Sequence, residues 1–318
     1  MKKALILGIN GQDGSFLAEL LLSKNYEVHG LVRRTAKDNL QNIKHITKKV
    51  TLHYGDLADP VSIQQAINIS DPDEIYNEAD QDHAGISFNI PSYNYDVTGA
   101  AVGRILEIIK NTNTNIKYFQ PLTSNMFGNI SETPQNENTP FFPLNPYACS
   151  KVFAYHTCRM YRNNYDMFVS CAIFYNHESE RRTDNYVTRK ITKSAAKISL
   201  GLQDELVLGD LSAKIDWGYA KEYMDAAWNI MQQENPDDYI IGTGTETSVE
   251  DFVKQTFDYL NLDSKKYVKS SANLLRPAKN LSLIADYTKA KNHFGFEPKV
   301  LVKDLIKIMV DNDLNQNR

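Results

Sequence analysis

The chain has 318 residues, 42% hydrophobic and 23% charged, with a formal net charge of −4. That length has room for about two ordinary domains, the composition excludes a disordered chain, and the small negative charge argues against a nucleic-acid backbone or an anionic membrane as partner. No stretch approaches the roughly 18 consecutive apolar residues of a membrane-spanning helix.

The first apolar run, 4–7, stops at Gly8. It is too short for the apolar segment of a secretion signal, and it reads as the first strand of the mature protein. Helical periodicity follows over 11–23, in Phe16, Leu17, Leu20 and Leu21. Strands are expected at 27–32 and 50–54. A helix is expected at 60–69, with Val61, Ile63, Ala66 and Ile67 on its apolar stripe. A strand at 73–77, a long amphipathic helix at 97–111 with Val102, Ile105, Leu106 and Ile109, and a strand at 116–121 continue the alternation. A helix from Pro146 to about Asn163 and a strand at 167–174 follow. Beyond about residue 180 the pattern loosens into helical segments at 187–200, 219–233, 248–261, 286–294 and 300–312. Alternating buried strands and helices predict an α/β fold with a parallel sheet covered on both faces.

Three scattered cysteines, Cys149, Cys158 and Cys171, form no disulfide framework, and neither they nor the seven histidines show metal-ligand spacing. A reducing, cytoplasmic setting without a metal is expected.

Gly8-Ile9-Asn10-Gly11-Gln12-Asp13-Gly14 lies between the first strand and the first helix. Glycines at this spacing allow a tight turn and close backbone approach to a pyrophosphate at the helix N-terminus, although they can also serve the turn alone. The context predicts a Rossmann-type doubly wound sheet that holds a dinucleotide over 1–180, with a smaller, mainly helical substrate lobe over 181–318 and some chain crossing back. The end of the second strand carries Arg33-Arg34 rather than an acid. Guanidinium groups suit a 2′-phosphate and favour NADP over NAD, unless the pair is a solvated basic turn. Asp56, ending the third strand, either receives an adenine amino group or caps the next helix. Tyr147 and Lys151 stand four apart, on one face of a helix. An ammonium near a phenol favours the phenolate, and such a tyrosine can take a proton from a sugar hydroxyl.

Taken together, Gly8–Leu17, Arg33-Arg34, His53-Tyr54-Gly55-Asp56-Leu57, Asn145-Pro146-Tyr147, Asn176-His177-Glu178-Ser179, Arg181-Arg182, 187–192, Asp216-Trp217-Gly218 and Arg276-Pro277-Ala278 resemble the extended short-chain dehydrogenase/reductases, and within them the GDP-mannose 4,6-dehydratases. The resemblance covers essentially the whole chain. It implies a lyase with bound NADP that oxidises C4 of a GDP-hexose, removes the C5 proton, expels water from C6 and returns the hydride to C6. It places Thr123 near the C4 hydroxyl, Tyr147 as the base and Lys151 as its partner. Cofactor contacts are implied for Gly8, Asn10, Gly11, Gln12, Asp13, Gly14, Arg33, Asp56, Leu57, Tyr147, Lys151 and His177, and substrate contacts for Asn176, Lys190, Gly209 and Arg276. A homodimer through the helices around 97–111 and 147–163, or a homotetramer, is implied as well.

The chain departs from the family pattern in its chemistry. Where the family has a glutamate that abstracts the C5 proton, this sequence has Asn125, whose amide is no base at neutral pH. The loop written A-A-Q-S-H-V in the family contains Glu78, Asp80 and Asp82 here, Ile215 replaces an arginine, and Lys279 replaces an acid. The expected activity is therefore a dehydratase whose replacement base comes from the 78–82 loop. The alternatives are a GDP-sugar 4-dehydrogenase or 4-epimerase without the elimination, and a non-catalytic NADP-binding paralogue.

Overall fold

The computed structural model describes residues 1–36, 38–129, 132–271 and 282–317. Its strands are β1 (Lys3–Leu7), β2 (Glu27–Val32), β3 (Thr51–Tyr54), β4 (Glu74–Asn77), β5 (Lys117–Thr123), β6 (Val169–Phe174), β7 (Asn176–Glu178), β8 (Leu206–Leu208), β9 (Lys214–Tyr219), β10 (Asp238–Ile241), β11 (Glu246–Ser248) and β12 (Val268–Ser270). Seven of them form one sheet in the order β10-β6-β5-β4-β1-β2-β3. All six pairings are parallel. Leu5 of β1 faces His29 on one side and Ile75 on the other. The strand order reverses direction at β1, and that reversal opens a crevice beyond the carboxyl ends of β1 and β4.

Alternate residues of the same strands feed two cores, one on each face. Leu5 and Leu7 pack with Val102, Ile105 and Leu106 of helix Ala101–Thr112, and with Ala154 and Cys158 of helix Pro146–Tyr165. Ala4 and Ile6 pack instead with Leu17 and Leu21 of helix Gln12–Ser23, and with Met224 and Ala227 of helix Ala220–Met231. A third core joins Trp217, Phe252, Leu305 and Met309 under helices Val187–Ser199, Val249–Tyr259 and Val302–Asn317. None of the described helices is long and apolar enough to cross a membrane.

Two helices start where an N-terminal side chain supplies a cap and a proline follows it. Asn145 accepts from the Ala148 amide before Pro146, and Asp59 accepts from the Val61 amide before Pro60. The expected helix at 97–111 is a π-helical turn at Tyr95–Ala100 running into helix Ala101–Thr112. The part beyond residue 180 is mainly helical, as expected, with several short strands. Together with β7 it forms a three-stranded sheet, β11-β9-β7, and on its own a two-stranded one, β12-β8. These strands are short and lack a sustained apolar alternation, so periodicity does not reveal them. The same reason hides β10, although it completes the main sheet beside β6. The 3₁₀ helix Gln41–Lys49 was not expected either.

Candidate active site

The loop after β1 is shaped by two glycines. Gly8 has φ +81°, and a Cβ there would lie 2.6 Å from the Glu78 carbonyl oxygen. A Cβ on Gly14 would lie 2.3 Å from the Gly8 carbonyl oxygen, so only glycine lets the helix start this close to the turn. The result is bare backbone at the N-terminus of helix Gln12–Ser23, which fits a pyrophosphate. It opens into a cavity of about 1110 Å³ at the carboxyl ends of the central strands.

One end of this cavity is lined by Gly8, Asn10, Gly11, Gln12, Asp13, Arg33, Asp56, Leu57 and His177. Gly14 lies behind the loop and Arg34 outside the lining. Arg33 is exposed, and its guanidinium donates to the Tyr93 hydroxyl at 2.9 Å. Asp56 accepts from the Ala58 amide at 2.9 Å and so also serves the turn into the next helix. His177 contacts Asp13 at 2.9 Å and stacks on Tyr223. Burial opposes the His177 charge, but the Asp13 carboxylate outweighs it and holds the imidazole above its ordinary value. Burial likewise opposes ionisation of Asp13, and His177 outweighs it to hold the carboxyl below its ordinary value.

Thr123, at the end of β5, meets Tyr147 and Lys151 from helix Pro146–Tyr165, and all three are buried at 7%, 8% and 3% exposure. Lys151 Nζ lies 5.7 Å from the Tyr147 ring centre. It donates to the Pro121 carbonyl at 2.7 Å and pairs with Asp80 at 2.6 Å. Burial, and then the carboxylates of Asp80 and Asp82, push the Tyr147 phenol well above its ordinary range. The Asn125 side chain donates to Thr123 Oγ1 at 3.1 Å.

The 78–82 acids all reach the cavity, but in different states. Glu78 has a buried, unpartnered carboxyl oxygen. Burial, and then Asp13, push its carboxyl well above its ordinary value, against the pull of Lys151. Asp80 is committed to Lys151. Asp82 is 53% exposed, 3.7 Å from Arg182.

Asn176, Lys190 and Gly209 also line the cavity, and Lys190 Nζ donates to the Val207 carbonyl at 2.7 Å. Arg276 and Lys279 lie outside the described residues. Tyr186, Arg182 and Lys214 line the cavity too. The Arg182 guanidinium sits 3.4 Å over the Tyr186 ring. No spacing rule singles out Tyr186 or Lys214, because the small β11-β9-β7 sheet and the turn before helix Val187–Ser199 bring them in.

A sequence profile described as GDP-mannose 4,6 dehydratase matches residues 5–309. The chain is 45% identical to GDP-mannose 4,6 dehydratase 2 of Arabidopsis thaliana, over 98% of this chain and 87% of the relative. It is 40% identical to the Homo sapiens GDP-mannose 4,6 dehydratase, over 99% and 92% respectively. The chain belongs to the GDP-mannose 4,6-dehydratase family. Solved structures agree on the fold at lower identity. A UDP-glucose 4-epimerase from Thermotoga maritima superposes with a TM-score of 0.89 at 20% identity, over 99% of this chain and all of its own. A dTDP-glucose 4,6-dehydratase from Bacillus anthracis in complex with NAD gives 0.86 at 21% identity, over 98% and 96%. This GDP-mannose 4,6-dehydratase family member thus has the Rossmann-type short-chain dehydrogenase/reductase fold of a sugar-nucleotide lyase family, with an amide at position 125.

Proposed function

We propose that this chain is an NADP-dependent nucleotide-sugar dehydratase that converts GDP-mannose, or a close relative of it, to the 4-keto-6-deoxy sugar. The observation that carries this reading is the convergence of Thr123, Tyr147 and Lys151 on one cavity with the glycine loop. Bound NADP supplies the hydride acceptor and, later, the hydride. Its pyrophosphate fits the turn of Gly8, Asn10, Gly11, Gln12 and Asp13, packed through Gly14, and Arg33 suits the 2′-phosphate. Asp56 and Leu57 flank the adenosine end, and His177 the other side of the loop. Asn176, Lys190, Gly209 and Arg276 take the GDP-sugar, in a substrate lobe formed mainly by 181–318.

Tyr147 takes the C4 hydroxyl proton as the C4 hydrogen leaves with its electron pair as hydride, so that C4 becomes a carbonyl. Thr123 orients that hydroxyl. The carbonyl acidifies C5–H, and a base must then remove the C5 proton as hydroxide leaves C6. Asn125 cannot do this. Of the three acids after β4, burial pushes the Glu78 carboxyl upward and Asp80 is paired with Lys151, so Asp82 is the one we assign to accept the proton. The enzyme acts as a cytoplasmic homodimer or homotetramer.

Asn125 favours a second reading, C4 oxidation without elimination, as in a 4-dehydrogenase or 4-epimerase. Incubation with GDP-mannose separates the readings. Appearance of the 4-keto-6-deoxy product supports the dehydratase. Nicotinamide reduction or a C4 epimer without it supports the second reading, and neither product leaves a non-catalytic NADP-binding protein.

A further inference from the structure

Lys151 is almost fully buried, and an unpaired ammonium there would be costly. Its nitrogen has two partners, the Pro121 carbonyl at 2.7 Å and the Asp80 carboxylate at 2.6 Å. Neither is the phenol it would be expected to serve, although its nitrogen lies 5.7 Å from the Tyr147 ring centre. At such a distance an ammonium favours the phenolate, and a carboxylate held against the same nitrogen cancels much of that field.

We propose that Asp80 is a positioning residue for the Tyr147–Lys151 pair: it clamps Lys151 against the Pro121 carbonyl and withholds the ammonium's charge from the phenol. The inference deepens the reading of Tyr147 as the C4 acid–base group and rests on it for its catalytic consequence. The charged and titratable groups around the pair are consistent with it. Asp80 and Asp82 face Tyr147 from the loop after β4, and Tyr186 faces it from the turn before helix Val187–Ser199. Glu78 and Asp13 lie beyond, Glu78 within the field of Lys151 and Asp13 within that of Asp80. Every one of these neighbours disfavours a phenolate when ionised. Asp80 acts most strongly, because it is mostly buried and sits directly on Lys151, whereas Asp82 is half exposed and screened by solvent. The consequence is a C4 oxidation that speeds up with rising pH.

The test is a pH titration of the whole protein with carbon-13-labelled tyrosine rings, Tyr147 being assigned by its loss in Tyr147→Phe. In the unaltered protein Tyr147 is expected to remain a phenol near pH 10, where an ordinary tyrosine is about half ionised. In Asp80→Asn its midpoint should fall by about one unit or more, and Asp80→Glu should restore it. A fall in Asp80→Asn no larger than that in Asp82→Asn overturns the proposal. Should Asp80→Asn fail to fold by circular dichroism, Asp80→Ser is titrated against the same criterion. A parallel single-turnover measurement of nicotinamide reduction with GDP-mannose should show the alkaline rise moved to lower pH by the same amount. If the midpoint moves while no variant reduces nicotinamide, Asp80 controls Tyr147 as proposed, and it is the functional reading that fails.

Discussion

Tyr147 is the residue on which the redox reading depends. It is buried beside Thr123, and in the proposed mechanism its phenol oxygen exchanges a proton with the substrate. Tyr147→Phe keeps the ring and its packing and removes that oxygen. Nicotinamide reduction with GDP-mannose should then fall by about 10²–10⁴-fold with little change in melting temperature, and an unchanged rate would remove Tyr147 from the chemistry. Asn125 is the second decisive residue. Its amide donates to Thr123 and offers no base. Asn125→Glu should raise formation of the 4-keto-6-deoxy sugar by about 10²-fold if the C5 proton limits the unaltered enzyme. Asp82→Asn should lower that product by a comparable factor while leaving the first nicotinamide reduction in place. Rapid dehydration that survives substitution of Glu78, Asp80 and Asp82 in turn would refute the assignment of the base to their loop. Arg33 lines the cavity and Arg34 does not. Arg33→Ala should therefore remove most of the preference for NADP over NAD, about 1.5–3 kcal/mol if one charge-assisted hydrogen bond is lost, as read from the two dissociation constants.

At the scale of elements, the pair of Asp13 and His177 ties the start of helix Gln12–Ser23 to β7. The Asp13 carboxyl is held below its ordinary value, so its contribution is present above the unfolded value near 4 and is lost as pH falls through the folded one. The His177 imidazole is held above its ordinary value, so its contribution is present below the unfolded value near 6.5 and is lost as pH rises through the folded one. Both contributions are complete between about pH 4 and 6.5. Asp13→Asn should lower the melting temperature most in that window, with the gap from the unaltered protein narrowing on either side. A gap that is flat from about pH 3 to 10 would show that the pair contributes nothing as ions. The glycine loop was legible because its residues are contiguous. The small β11-β9-β7 sheet was not, and it carries Lys214 and the strand of Asn176 and His177 into the same cavity.

At the scale of the whole molecule, the helices Ala101–Thr112, with its leading turn, and Pro146–Tyr165 leave apolar residues outside: Tyr95 is 50% exposed, Phe153 56% and Met160 40%. If this face joins two copies, Phe153→Asp should convert the dimer to a monomer in sedimentation-velocity runs without loss of secondary structure. A monomeric unaltered protein at micromolar concentration would dismiss the face as an interface. The sequence alone determined the parallel α/β sheet, the glycine turn, and the one-turn spacing of Tyr147 and Lys151. All three are local: alternation of strand and helix, glycine at a left-handed turn, and the pitch of a helix depend on neighbours in the chain. It also showed an amide at 125, where the resemblance implies a carboxylate, and three acids after β4. Only the tertiary structure decided that these acids differ, with Glu78 unpaired, Asp80 on Lys151 and Asp82 near Arg182, because burial and pairing depend on which elements the fold brings against the loop.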